Sequence, residues 1–496
     1  MNLPADLEHM REEIAGYARG YNLDFYDTIF ELVEFDELNE VASYGGFPTR
    51  YPHWRFGMEY EELSKGYEYG LQKIYELVIN NDPCYAYLMK SNNIVDQKLV
   101  MAHVYAHCDF FKNNLSFAHT NRKMMDEMAN HGVQIRRYVE KYGAEAVENF
   151  IECCLSLENL IDPNQPFMKH ESEQVDGEKE DDTNGSARSF KLKSKSYMDS
   201  FINPKEVLRE QKRVTQEKLK REKERFPKQP ERDILEFLID YAPIENWQAD
   251  ILAIIREEAY YFSPQGQTKI MNEGWATYWH SRIMTEKSLT DAEVIDYADH
   301  HSGTVATSPG RLNPYKLGVE LFRNIADRWD KGKFGKEYEE CDDWTAKRNW
   351  DMNLNLGQEK IFEVRKLYND LMFIDAFLTP EFCREQKLFV YQYNDGSEMY
   401  EISDRDFQQV KQKLLFSLTN FGQPFIYVVD ANYLNRGELY LLHKDEGVEL
   451  QSDEAQDTLT SMFNIWKRPV HIETIVDDNK TQLSFDGKEH STEEMD

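Results

Sequence analysis

The sequence has no CxxC pair and no uninterrupted apolar run near the roughly 18 residues needed to cross a bilayer. It has only six cysteines, at Cys84, Cys108, Cys153, Cys154, Cys341 and Cys383, with no disulfide-framework spacing. That usage fits a reducing compartment. The first residues, MNLPADLEHMREEIAG, lack the basic start and apolar centre of a signal peptide. A cytoplasmic protein without a membrane span is therefore expected. GxxxxGK[ST], GxGxxG and GxSxG are all missing, so nucleotide-binding and serine-hydrolase readings have no support. Positive charge is also scarce: 58 basic side chains face 90 acidic ones, a formal charge of -32. Such a field repels nucleic acid and anionic membranes, so no nucleic-acid partner is expected. The Lys/Arg-rich stretch near 205–225 has few aromatics and reads as a solvated spacer.

What is present is enough to fold. Hydrophobic residues make up 41% of 496, ample for a core divided over two or three domains. Helical periodicity dominates the first three quarters, with helices predicted near Asp6–Arg19, Glu59–Ile79, Arg122–Leu157 (broken at His131–Gly132 and Tyr142–Gly143), Trp247–Phe262 and Thr268–Met284. Ser263–Gly266 is expected to interrupt the last two, and CYAYLM (Cys84–Met89) alternates like a short strand. Beyond about Lys387 the period shortens, and LFVYQY, PFIYVVD, ELYLLH and VHIETIV read as strands with interleaved helices. The expected class is α+β: a mainly α-helical N-terminal and central domain with a short strand element, then a smaller α+β C-terminal domain. The predicted order is 1–162 helical with a histidine pair, 163–230 charged linker, and 231–384 helical, packing with 1–162 as one domain. An α+β domain at 385–477 and a frayed acidic tail at 478–496 complete it.

Chemistry concentrates in two stretches. REEAYYFSPQGQTKIMNEGWATYWH (Arg256–His280) sets Glu257, Glu258, Glu273 and His280 beside Trp275, Tyr278 and Trp279. Acids and a histidine among large aromatics are costly to desolvate, and are kept when paired, metal-bound or catalytic. The second stretch, VMAHVYAHCDFFKNN, carries His103 and His107 at i and i+4, the ligand spacing of the HExxH zinc helix. Position 104 is Val, where that motif supplies its general-base Glu. Glu273 and His280 share nearly one face but rise about 10.5 Å apart, too far for both to ligate one ion easily. Glu257 and Glu258 point about 100° apart, so one faces inward.

The residues thus propose His103, His107 and His280 as metal ligands and Glu258 and Glu273 as catalytic carboxylates. Glu257, Asp109, Asn113, Asn114, Trp275, Thr277, Tyr278 and His53 are supporting or pocket residues. Mixed His and carboxylate donors suit zinc with an open position, or iron or manganese. Zinc favours hydrolysis by activated water; two bridged iron or manganese ions would permit oxidase chemistry. A buried hydrogen-bond network in a regulatory or scaffold protein is the non-catalytic alternative.

FPTRYPHWRFG, YELVINNDPCYAYL, AHVYAHCDFFKNN, TKIMNEGWATYWH and LNPYKLG, in this order, resemble the stage V sporulation protein R (SpoVR) family. The resemblance runs over nearly the whole chain. It implies a cytoplasmic bacterial protein linked, in endospore formers, to assembly of the spore cortex, a modified peptidoglycan. It supplies a process and no reaction. Combined with the metal-site residues, it leads to a metal-dependent hydrolase of an amide bond, in a cell-wall precursor or peptide. Further protein partners are expected without being identified.

Overall fold

In a computed structural model, the described residues are 3–68, 76–168, 213, 225–308, 310–394 and 399–495. Of the expected charged linker at 163–230, all but residues 163–168, 213 and 225–230 lies outside them. The chain forms two compact units, Met1–Glu148 with Glu258–Gln423, and Asn149–Glu257 with Pro424–Asp496.

The first unit is built around the helix Ile94–Asn113, which carries the histidine pair. Its sequence is apolar on nearly every face, and almost every residue from Val95 to Phe111 is buried. A helix apolar all round can only be satisfied inside a core. Asn93 starts it by accepting a hydrogen bond from the Asp96 amide at 2.8 Å. A three-stranded sheet lies ahead of it in the chain: β1 (Thr28–Val33), β2 (Leu77–Ile79) and β3 (Cys84–Met89), in the order β1-β3-β2. β3 is central, parallel to β1 and antiparallel to β2. The expected helix through Ile79 is therefore not continuous. A helix spans Trp54–Glu68, and Leu77–Ile79 pairs with Tyr85–Tyr87 instead.

The helix Lys269–Ile283 packs against the histidine helix and against the helix Pro314–Asp330. The second contact is backbone to backbone. A methyl group at Gly274 would lie 2.4 Å from Gly318 Cα, and one at Gly318 would lie 2.2 Å from the Ile270 carbonyl oxygen. Only glycine permits that approach. The buried Asp370 carboxylate caps the start of the Lys269–Ile283 helix, accepting from the amides of Ile270 (2.7 Å) and Met271 (2.8 Å). This satisfies two of the donors a helix N-terminus leaves open. Burial pushes the Asp370 carboxyl up to about 7, against the lowering effect of those amides.

Two expected helix breaks do not occur. Met124–Tyr142 runs through His131–Gly132, where Gly132 fits against the Arg50 backbone, and ends at Gly143 with φ 91. Asn246–Gln267 runs through Ser263–Gly266 with Pro264 inside it, and the break falls at Thr268. The strand pair β4 (Val390–Asn394) and β5 (Met399–Asp404) lies within the first unit, which continues to Gln423.

The second unit holds a five-stranded sheet of β6 (Phe425–Tyr433), β7 (Glu438–Lys444), β8 (Val470–Val476), β9 (Asn479–Phe485) and β10 (His490–Glu494), ordered β10-β9-β8-β7-β6. Only β7 and β8 pair in parallel, and the helix Ser452–Trp466 makes the crossover between them. The residues after Asp477, expected as a frayed tail, form β9 and β10. Their polar side chains suit a half-exposed edge, and backbone pairing such as Glu493↔Gln482 holds them. The class is α+β, as the sequence indicated.

Candidate metal centre

The i,i+4 spacing places the rings of His103 and His107 4.5 Å apart on one face of their helix. Both are buried. Glu273, from the adjacent Lys269–Ile283 helix, brings Oε2 to 3.6 Å from the Nε2 atoms of both histidines. Glu76, immediately before β2, brings Oε1 to 3.1 Å from His103 Nε2 and 4.0 Å from His107 Nε2. One donor atom from each of the four lies within 4.8 Å of every other. Donors tetrahedrally arranged at zinc bond lengths would be about 3.4 Å apart, so these separations suit a single ion.

Two atoms of the cluster stand out. His103 Nε2 and Glu273 Oε2 are buried and form no well-aligned hydrogen bond among the described residues, although Glu76 Oε1 lies 3.1 Å from His103 Nε2. Orphaned buried polar atoms are rare. Here the two atoms lie 3.6 Å from each other. The other nitrogens are occupied. His107 Nδ1 lies 2.9 Å from Asn272 Oδ1, and His103 Nδ1 lies 2.7 Å from His280 Nδ1. Such outer contacts are the usual means of orienting ligating imidazoles.

The electrostatics follow from packing two acids against buried imidazoles. Burial opposes charge on His103, but Glu76 and Glu273 more than offset it and push the imidazole up to about 9. Burial raises Glu76, yet His103 outweighs it and holds the carboxyl below its ordinary value. Burial and the neighbouring His103 charge lower both His107 and His280. Burial and Glu273 together raise the Tyr315 hydroxyl, whose ring lies 6.2 Å from that of His103. The Glu76 and Glu273 side chains retain 18% exposure against 2–4% for the histidines, so the site opens on its carboxylate side.

Of the residues singled out in the sequence, His103, His107 and Glu273 come together here. His280 stands behind His103, contacting the nitrogen that faces away from the cluster. Glu258 is elsewhere: its carboxylate pairs with the Arg50 guanidinium and lies 3.2 Å from His131 Nδ1. Glu257 is exposed in the second unit. Asp109 is a buried hub that receives the Trp275 indole N–H at 2.8 Å and Arg365 at 3.2 Å. Burial pushes its carboxyl up to about 6. Asn113 donates to the Asp109 and Asp24 carbonyls, and Asn114 to those of Arg365 and Tyr368, so both brace the helix end. Thr277 is buried within its helix, and Tyr278 is buried with its hydroxyl raised by burial. His53 accepts from the Arg55 amide at 3.3 Å and packs on Phe56.

Sequence reasoning missed Glu76, Asn272 and Tyr315. Each sits inside a quoted block: Glu76 in YELVINNDP, Asn272 in TKIMNEGWA and Tyr315 in LNPYKLG. An acid heading a short apolar run was the available signal for Glu76.

A family model described as SpoVR like protein matches residues 2–423, and one described as SpoVR-like C-terminal domain matches residues 424–477. The uncharacterized protein YcgB of Escherichia coli (strain K12) is 29% identical over 504 residues, covering 95% of this chain and 92% of that protein. No solved structure matches. The matched models together take in both units, and the chain belongs to the SpoVR family.

Proposed function

We propose that this protein is a cytoplasmic metal-dependent hydrolase of an amide bond, acting on a cell-wall precursor or peptide. The link to spore cortex formation comes from the family resemblance alone. The observation that carries the chemistry is the convergence of Glu76, His103, His107 and Glu273, each offering a donor atom within 4.8 Å of the others, with His103 Nε2 and Glu273 Oε2 buried. Glu273 is equidistant from the two imidazoles and is the natural third ligand. That makes a His2Glu set, with zinc as the fitting ion and iron or manganese as alternatives. A divalent ion in this position supplies Lewis acidity and lowers the pKa of water.

The rest is done by side chains. Glu76 lies nearer His103 than His107, off the symmetric position, and takes the role of general base. It stands in for the acid that HVYAH lacks at Val104. As a carboxylate it is able to take a proton from water and return it to the leaving amine. Tyr315 stays protonated and can donate a hydrogen bond to the carbonyl oxygen as negative charge develops. A two-metal oxidase is less well supported, because four donors suit one ion better than two.

Elemental analysis of untagged protein tests this reading, beside His103→Ala/His107→Ala and Glu76→Gln. The expected results are one equivalent of metal in the wild type and none in the double variant. Glu76→Gln should keep its metal but lose turnover on an amide panel. No metal in a folded, reconstituted wild type would favour the scaffold reading. Metal loss in Glu76→Gln would make Glu76 a fourth ligand and the site a closed structural one.

A further inference from the structure

Behind the cluster, a file of imidazoles leads away from the donor atoms. His103 Nδ1 meets His280 Nδ1 at 2.7 Å, and His280 Nε2 meets His301 Nδ1 at 3.4 Å. His103 and His280 are buried, whereas His301 is half-buried on the helix Val294–Thr304. The His301 ring stacks on Tyr297, with centroids 5.6 Å apart and planes 19° apart. The same helix is tied to the first turn of the histidine helix by His300 and Asp96, 2.7 Å apart. Both ends of the file are thus held in place by packing.

In a neutral imidazole one ring nitrogen donates and the other accepts. Two facing Nδ1 atoms at 2.7 Å therefore admit only one donor. If His280 donated, a neutral His103 would carry its proton on Nε2, where the metal must bind. If His103 donates, Nε2 is left with a free lone pair. His280 then carries its own proton on Nε2, pointed at His301 Nδ1, and His301 keeps its proton on the outer Nε2. One choice at the first link fixes all three rings.

We infer that His280, backed by His301, is a positioning residue that sets the His103 tautomer and aims its Nε2 lone pair at the metal. The inference rests on the proposed metal reading and assigns His280 a role outside the ligand set. His107 has its counterpart in Asn272, whose side-chain oxygen accepts from Nδ1 at 2.9 Å. The two ligating imidazoles are therefore oriented by different partners, an amide for one and an imidazole file for the other.

The test is zinc affinity in wild type, His280→Ala, His280→Asn and His301→Ala, with folding checked by circular dichroism. An Asn oxygen can stand where His280 Nδ1 stands and accept from His103. Loss of an orienting partner typically weakens metal binding about 10–100-fold. His280→Ala should fall in that range, His280→Asn should recover most of the affinity, and His301→Ala should lose less than His280→Ala. Nitrogen-15 histidine spectra of the zinc-loaded wild type give an independent reading should His280→Ala fail to fold. They should show His103 protonated at Nδ1 and His280 at Nε2. Zinc bound equally by wild type and His280→Ala, or His280 protonated at Nδ1, would overturn this inference alone. No zinc, iron or manganese bound by the wild type would overturn the metal reading and this inference with it.

Discussion

The glycine crossing between the helices Lys269–Ile283 and Pro314–Asp330 gives a prediction with a decidable sign. In Gly318→Ala the new methyl would lie 2.2 Å from the Ile270 carbonyl oxygen and 2.6 Å from Gly274 Cα. Carbon atoms rest at about 3.5–4.0 Å, so the helices must part by about 1 Å. Overpacking of this kind costs about 1–3 kcal/mol, while the higher helix propensity of alanine returns up to about 1 kcal/mol. The net expectation is destabilisation of about 1 kcal/mol. The same shift moves Glu273, next to Gly274, off its position 3.6 Å from both imidazoles. Zinc affinity should fall at least about tenfold, equivalent to about 1.4 kcal/mol. Gly16→Ala is the control: Gly16 is helical, and a methyl there meets nothing within 4 Å. That change should stabilise the protein by about 0.4–1 kcal/mol and leave zinc binding alone. Urea unfolding followed by tryptophan fluorescence, with zinc titration, reads both effects. A Gly318→Ala protein as stable as Gly16→Ala, with wild-type affinity, would refute the close-approach account.

Two other perturbations separate the metal centre from its surroundings. Glu258→Gln removes one partner of the pair with Arg50, at 4% and 10% side-chain exposure. It should lower stability by about 3–5 kcal/mol in urea unfolding yet leave metal stoichiometry unchanged, and loss of metal would return Glu258 to the site. Burial pushes the Asp370 carboxyl up to about 7 in the folded protein, above its ordinary 3.8. The folded state therefore holds this proton to higher pH than the unfolded chain. Its contribution to stability is full below the unfolded pKa and is lost as pH rises through the folded one. The stability of wild type relative to Asp370→Asn should fall by about 3 kcal/mol between pH 5 and pH 8 with chelator present, and a relative gain over that range would contradict the sign.

The parts of the site that follow from local spacing were legible in the sequence. The i,i+4 pair of His103 and His107 needs only a helix, and the acid of NEGW stands out among aromatics. His280 was placed in the right neighbourhood. The two-turn rise from Glu273, however, carries it past the Glu76–His103–His107–Glu273 cluster to the far side of His103. Glu76 was not legible, because its place depends on β2 pairing with β3, and LVI suits a helix as well as a strand. Glu258 read as a buried acid, but its partner Arg50 lies 208 positions away in the chain, beyond any periodicity argument. The closing strands β9 and β10 were hidden for a related reason. Their polar composition resembles a loose tail, and neighbouring strands supply the order.

Anomalous diffraction at the zinc edge, from crystals of protein purified with its metal, tests the central claim most directly. The account predicts one strong peak at bonding distance, about 2.0–2.2 Å, from His103 Nε2, His107 Nε2 and a Glu273 oxygen, with His280 outside that shell. A peak held by other residues, or a cluster in metal-replete crystals with His103 Nε2 and Glu273 Oε2 bound only to water, would contradict it.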